Sequence, residues 1–93
     1  MASYRKAPPK DPDETLDYSW DWSEYLPRGD EVIASEWLVP DGLTSEAQNF
    51  SALVTTVWLS GGDLGEEYTV TNRVTTKHGR QVDRTFALKI RSK

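Results

Sequence analysis

The chain has 93 residues, no cysteine, a net charge of −4 and a pI of about 4.9. This length makes one domain with a small core, and the lack of cysteine excludes disulfides and thiolate ligands. The acidic balance argues against binding to nucleic acid or to an anionic membrane, since both need a basic surface. No apolar stretch approaches the ~18 residues that span a bilayer, and no secretory signal is visible.

Residues 1–15 are rich in proline and charge, with few large apolar groups besides Tyr4. Such a segment cannot bury enough surface to offset its ordering entropy. We therefore predict a flexible N-terminal arm, disordered when alone, in which basic residues precede acidic ones. It is either a frayed terminus or an arm that becomes ordered on a partner, with Tyr4, Arg5 and Lys6 as candidate contacts.

The next segment is aromatic. Tyr18, Trp20 and Trp22 alternate with polar residues, which predicts a strand with the rings on one face. Together with Tyr25 these rings could cap the core, anchor a protein interface or stack on sugars. Residues 27–30 then read as a turn.

A second strand is predicted over residues 31–39, with Trp37 and Ile33 facing the core. Residues 43–51 are ambiguous between a short strand, an irregular crossover and a helical turn at 45–48. Neither helix nor strand periodicity is sustained there.

The C-terminal half is rich in β-branched residues. Residues 53–59 form an almost continuous apolar run, which is typical of a strand buried on both sides, and Trp58 is assigned a structural role. Residues 68–76 and 82–90 alternate around a turn at 77–80, which predicts a long antiparallel hairpin.

Many short strands without a convincing helix indicate an all-β fold, an antiparallel β-sandwich. Gly65-x-x-Tyr68 has the spacing of the tyrosine corner of immunoglobulin-like sandwiches, in which the hydroxyl folds back onto the preceding loop. A plain core tyrosine is the alternative, and either role is structural, as for Trp37. We therefore predict an immunoglobulin-like domain over residues 16–93.

Candidate chemistry is sparse. His78 lies in the hairpin tip between Lys77 and Arg80, without a nearby carboxylate in sequence, so these three are candidate partner contacts rather than a catalytic or metal site. Residues 28–30 spell the adhesion tripeptide Arg-Gly-Asp, which the turn already explains. We expect no enzyme activity and no cofactor.

Several motifs together resemble the small tail-associated fiber–tail adaptors of tailed bacteriophages. The similarity covers about residues 15–91 and rests on the ensemble of stretches. They are DYSWDWSEYL at 17–26, DEVIASEW at 30–37, TVWLSGG at 56–62, GEEYTVTNR at 65–73, GR at 79–80 and DRTF at 83–86.

This resemblance implies a virion structural protein, made in the host cytoplasm, that joins tail or neck components to fibres or to each other. Its partners would be tail, portal-proximal or fibre proteins, and several copies would sit in a symmetric assembly. The alternative is a stand-alone β-sandwich module that binds carbohydrate or protein.

Overall fold

Residues 5–92 are described by a computed structural model, and within them the chain forms β-strands and no helix. The strands are β1 (Arg5–Lys6), β2 (Leu16–Asp21), β3 (Val32–Leu38), β4 (Leu43–Phe50), β5 (Val54–Gly61), β6 (Glu67–Thr76) and β7 (Gln81–Lys89). They form two sheets, in the orders β1-β7-β6-β3 and β2-β5-β4. Neighbouring strands are antiparallel except β1, which runs parallel to β7. This is the predicted all-β sandwich, whereas its immunoglobulin-like character stays a prediction.

The core lies between the sheets because alternate residues of each strand point inward. The ring of Tyr18 stacks on Phe86 from the opposite sheet at 5.5 Å between centroids, and Trp37 meets Phe86 edge-on at 6.2 Å. Trp37 thus faces the core, as predicted. A second cluster closes one end of the sandwich and contains Trp22, Leu26, Val32 and Val74. Burial of each such side chain stabilises the fold by ~1.5–3 kcal/mol.

The predicted inward position of Ile33 is wrong. Its side chain is 56% exposed, whereas its neighbour Val32 is buried. The pairing of β3 with β6 shifts between Val32 and Ala34, which marks a β-bulge. Because a bulge adds one residue to the strand, it reverses the alternation on one side of Trp37.

The ambiguous residues 43–51 are mainly strand β4, an edge strand, so the helical alternative is wrong. The predicted burial of β5 on both sides is also wrong. Thr55, Val57 and Leu59 are buried, but Trp58 is 39% exposed on the outer face. β5 is the central strand of its sheet, so β2 and β4 cover its two edges. No layer of the described residues covers its outer face. The structural role of Trp58 stays a prediction.

The described part of the predicted arm lies along β7. Lys6 pairs with Ala87, and the Ala7 N–H donates to the Ala87 carbonyl at 2.9 Å. Lys10 forms an isolated bridge with Ile90. In this arrangement residues 5–10 lie on the chain's own sheet, and the flexibility of the arm over residues 1–15 stays a prediction.

Candidate functional site at the two ends of the sandwich

Three loops, with the strand residues next to them, meet at one end of the sandwich, which we call the hairpin end: residues 22–33, 50–54 and 77–80. Three backbone hydrogen bonds join them, from Trp22 N to Leu53 O (2.7 Å), Val32 N to Ala52 O (2.8 Å) and Lys77 N to Glu31 O (2.8 Å). The loops therefore form one continuous surface rather than three independent ones.

The hairpin tip rests on a buried carboxylate. Asp30 accepts hydrogen bonds from the backbone N–H groups of Glu31 and His78, both at 3.0 Å, and from Arg80 Nη1 at 3.2 Å. The imidazole Nδ1 of His78 lies 3.8 Å from Asp30 Oδ1. Two of the three residues predicted as contacts at the tip, His78 and Arg80, thus contact Asp30. Their spacing in the sequence did not suggest this partner.

The same contacts set the charge of Asp30. Burial raises the pKa of its carboxyl group. Hydrogen bonds from the His78 backbone, the Thr76 side chain and the Glu31 backbone, with the charge of His78, outweigh burial and hold the pKa below its ordinary value. Asp30 is therefore an anion beneath a cationic tip.

This arrangement stabilises the loops. Among residues 5–92, no group of three His, Cys, Asp or Glu side chains could hold a metal ion. Asp30 is the acid of the Arg-Gly-Asp tripeptide, and its burial prevents it from reaching an adhesion receptor. Its backbone N–H donates to Pro27 O at 3.0 Å, as the turn interpretation predicts.

The hairpin end also exposes apolar surface. Eight large apolar side chains are exposed in the part of the chain that the structure describes, and five of them lie at this end. These five are Tyr25, Ile33, Phe50, Leu53 and Val54. Exposed apolar groups that are clustered rather than scattered mark interaction surfaces. Sequence reasoning missed Phe50, Leu53 and Val54 because it left 43–51 unassigned and placed 53–59 inside.

The aromatic cluster of the sequence divides between core and surface. Trp22 is fully buried, and its Nε1–H lies 3.1 Å from Thr55 Oγ1 and 3.2 Å from Asn72 Oδ1. Tyr18 is also buried, so the interpretation that these rings cap the core is confirmed for both.

The other two members of that cluster lie nearer the surface. Trp20 is half-buried, whereas Tyr25 is 47% exposed with the Arg84 guanidinium 4.4 Å from its ring centroid. Trp20 and Trp22 therefore do not form the paired stacking platform that sugar binding would need.

A cleft of about 560 Å³ separates the arm from β2. Its lining includes Lys6, Pro8, Pro9, Tyr18, Trp20 and Phe86. Within the described residues the buried Tyr18 hydroxyl has no hydrogen-bond partner. Burial, with smaller effects of Glu14 and Asp17, raises the pKa of Tyr18 to about 12.

The opposite end of the sandwich, which we call the glycine-loop end, comprises residues 10–15, 39–42, 61–66 and 90–92. Lys10 is fully buried there, and its ammonium group donates to the carbonyls of Gly61 at 2.6 Å and Asp11 at 2.9 Å. Gly62 has a φ of 98°, and a Cβ at that position would lie 2.6 Å from the Ile90 side chain. Only glycine fits this close approach.

Tyr68 closes the glycine-loop end. Its hydroxyl accepts a hydrogen bond at 3.0 Å from the backbone N–H of Asp63, in the loop before β6. This is the contact that the Gly65-x-x-Tyr68 spacing predicts. Of the remaining predicted contacts, Lys6 lies on β1 beside Ala87, Arg5 begins that strand and Tyr4 lies outside the described residues.

No helix among residues 5–92 is long and apolar enough to cross a membrane.

Comparisons with known proteins place the chain in a family. No curated protein matches the chain. The pattern of one family, described as "Podophage GP4 fiber-tail adaptor protein gp77", matches residues 10–89, which cover nearly the whole sandwich. The chain therefore belongs to the podophage GP4 fiber-tail adaptor family.

Proposed function

We propose that this protein is a virion component that joins tail or neck components to fibres, or to neighbouring tail proteins, through protein–protein contacts alone. The observation that carries the proposal is the family match over residues 10–89. The protein is made in the host cytoplasm, works in several copies within a symmetric assembly and has no enzymatic step.

The hairpin end supplies the contact surface for another virion protein. Its apolar side chains offer burial, and Lys77 and Arg80 at its rim offer polar contacts, the composition that protein interfaces share. The buried Asp30 holds the tip in one conformation, so that little entropy is lost when a partner binds. Contacts repeated around a symmetric particle would add avidity.

A matched pair of variants tests this surface. Leu53 at the hairpin end and Leu38 on the outer face of the other sheet are both 38% exposed. In particles assembled with Leu53→Asp, we expect loss of fibres or of the adaptor itself, whereas Leu38→Asp leaves particles intact. Protein gels and electron microscopy of purified particles measure both.

Two results would contradict the proposal. One is that particles purified without the protein still carry their full set of fibres. The other, which removes the hairpin end alone, is that Leu53→Asp and Leu38→Asp behave alike.

A further inference from the structure

We propose that the N-terminal arm is exchanged between copies: residues 5–9 of one molecule dock on the seam between β7 and β2 of a second molecule. The arm would then be the contact that joins copies of this protein to each other, while the hairpin end faces other proteins. The proposal rests on the protein working in several copies.

The arm is held weakly on its own domain. β1 comprises two residues, and beyond its pairing the Ala7 N–H donates one backbone hydrogen bond to β7. Pro8 and Pro9 follow, and they have no N–H to donate. Firm attachment begins at Lys10, whose backbone bonds both Lys89 and Arg91 and whose side chain is fully buried. Pro8-Pro9 is thus a stiff link between a fixed point and a segment that can leave.

The seam that the arm covers is incompletely filled. The cleft of about 560 Å³ remains between the arm and β2. Tyr18 lines it, more than nine-tenths buried, with no hydrogen-bond partner for its hydroxyl among the described residues. Buried hydroxyls are normally paired, so the unpaired Tyr18 hydroxyl marks this seam as an incompletely packed contact, which the arm can leave.

The contact that the structure shows identifies the occupant as a second copy, because the seam already binds residues 5–9 of this same sequence. Residues 5–9 contain two basic residues and no acidic one, whereas residues 10–93 contain nine basic and fifteen acidic residues. Asp17 and Asp21 line the same cleft as Lys6 and the two prolines. The basic arm is therefore attracted to the acidic seam of any copy, its own or a neighbour's. An extended segment added in parallel at the edge of β7 is a known mode of peptide recognition.

The absence of cysteine allows a direct test with single-cysteine chains. Lys6 and Ala87 are paired across β1 and β7, so Lys6→Cys in one chain and Ala87→Cys in another are held side by side only if the arm crosses between molecules. We expect mild oxidation of the mixture to give at least about tenfold more heterodimer than a mixture of Lys6→Cys with Ser45→Cys. Ser45 is exposed on β4, away from the seam.

A deletion tests the same contact without relying on a cysteine in the sheet. Wild-type protein at ~1 mM should self-associate in sedimentation equilibrium at low salt, less so at about 500 mM NaCl. A chain lacking residues 1–9, which keeps Lys10, should stay monomeric with an unchanged circular dichroism spectrum. Equal disulfide yields from the two mixtures, or equal association of full-length and shortened chains, would overturn arm exchange. Normal incorporation of that shortened chain into particles would leave the adaptor function standing, so the two failures are distinguishable.

Discussion

Each end of the sandwich holds its loops with a buried charged side chain, and the two side chains have opposite charges. At the hairpin end a buried anion, Asp30, holds a cationic tip through backbone N–H groups and Arg80. At the glycine-loop end a buried cation, Lys10, holds a loop through the carbonyls of Gly61 and Asp11. The hairpin end adds an apolar cluster around Trp22, whereas the glycine-loop end relies on close backbone packing against Ile90.

The difference shows that the polar backbone groups of each loop determine which charged side chain can hold it. A carboxylate can accept several N–H donors at once, and the hairpin tip presents such donors. An ammonium group donates to carbonyls, and the glycine loop presents carbonyls. The hairpin end has its own core, so we expect it to tolerate loss of its charged anchor better than the glycine-loop end does. The following predictions test that asymmetry.

The largest effect should come from the apolar anchor of the hairpin end. Trp22→Ala removes a fully buried side chain and both of its polar contacts, and should lower the free energy of unfolding by ~3–5 kcal/mol in urea denaturation. Trp58→Ala, at a site 39% exposed, should cost less than half as much. Equal losses would mean that the outer face of β5 is covered in solution.

At the glycine-loop end, Lys10→Met keeps the length of the side chain but leaves the Gly61 carbonyl without its donor. We expect a loss of ~1–3 kcal/mol in the free energy of unfolding. Hydrogen exchange should accelerate at the Gly62 N–H and not at the Lys77 N–H in the hairpin. The exposed Lys6→Met is the control, and a similar loss there would refute a specific role for Lys10.

Asp30 is the charged anchor of the hairpin end. Its replacement should have a smaller effect on stability than the changes above, but a larger effect on how stability depends on pH. Because the pKa of Asp30 is lowered on folding, its contribution is present above the ordinary value of 3.8 and is lost as pH falls below it. Asp30→Asn should flatten, without abolishing, the loss of thermal stability in acid, since Asp21 and Asp83 also have lowered pKa values. An unchanged acid profile would show that another group dominates.

A smaller effect is expected from the tyrosine of the glycine-loop end. Tyr68→Phe removes the acceptor of the Asp63 N–H and should cost ~0.5–1.5 kcal/mol of unfolding free energy. Tyr25→Phe, in an exposed ring, should change stability by less than ~0.5 kcal/mol. If the two variants are equally stable, the corner contact contributes nothing measurable.

The smallest change at neutral pH should follow Tyr18→Phe, because the hydroxyl has no hydrogen bond within the described residues. The raised pKa of about 12 means that stability is present below pH 10 and is lost between pH 10 and 12. Thermal denaturation across that range should show an alkaline loss that Tyr18→Phe reduces. Marked destabilisation of Tyr18→Phe at pH 7 would contradict the unpaired hydroxyl.

The strands and turns were largely predictable because they depend on local pattern. Alternation predicted β6 and β7, and Gly65-x-x-Tyr68 predicted the contact to the Asp63 loop. The position of Ile33 was predicted wrongly because a β-bulge shifts the alternation by one residue. No residue type in the segment indicates that bulge. The exposed side chains of Phe50, Leu53 and Val54 were missed because burial of β5 depends on how many layers cover it.

The sequence alone determined the all-β class, the positions of most strands, the contact of Tyr68 with the preceding loop and the resemblance to the family. Each of these follows from residues close together in the chain. Only the tertiary structure decided that Asp30 anchors His78 and that Lys10 reaches Gly61, because the partners lie 48 and 51 residues apart. Buried charges need partners of opposite polarity, but which loop supplies them is set by strand order and register. Strand order and register are global properties, so no local pattern of residues reveals them.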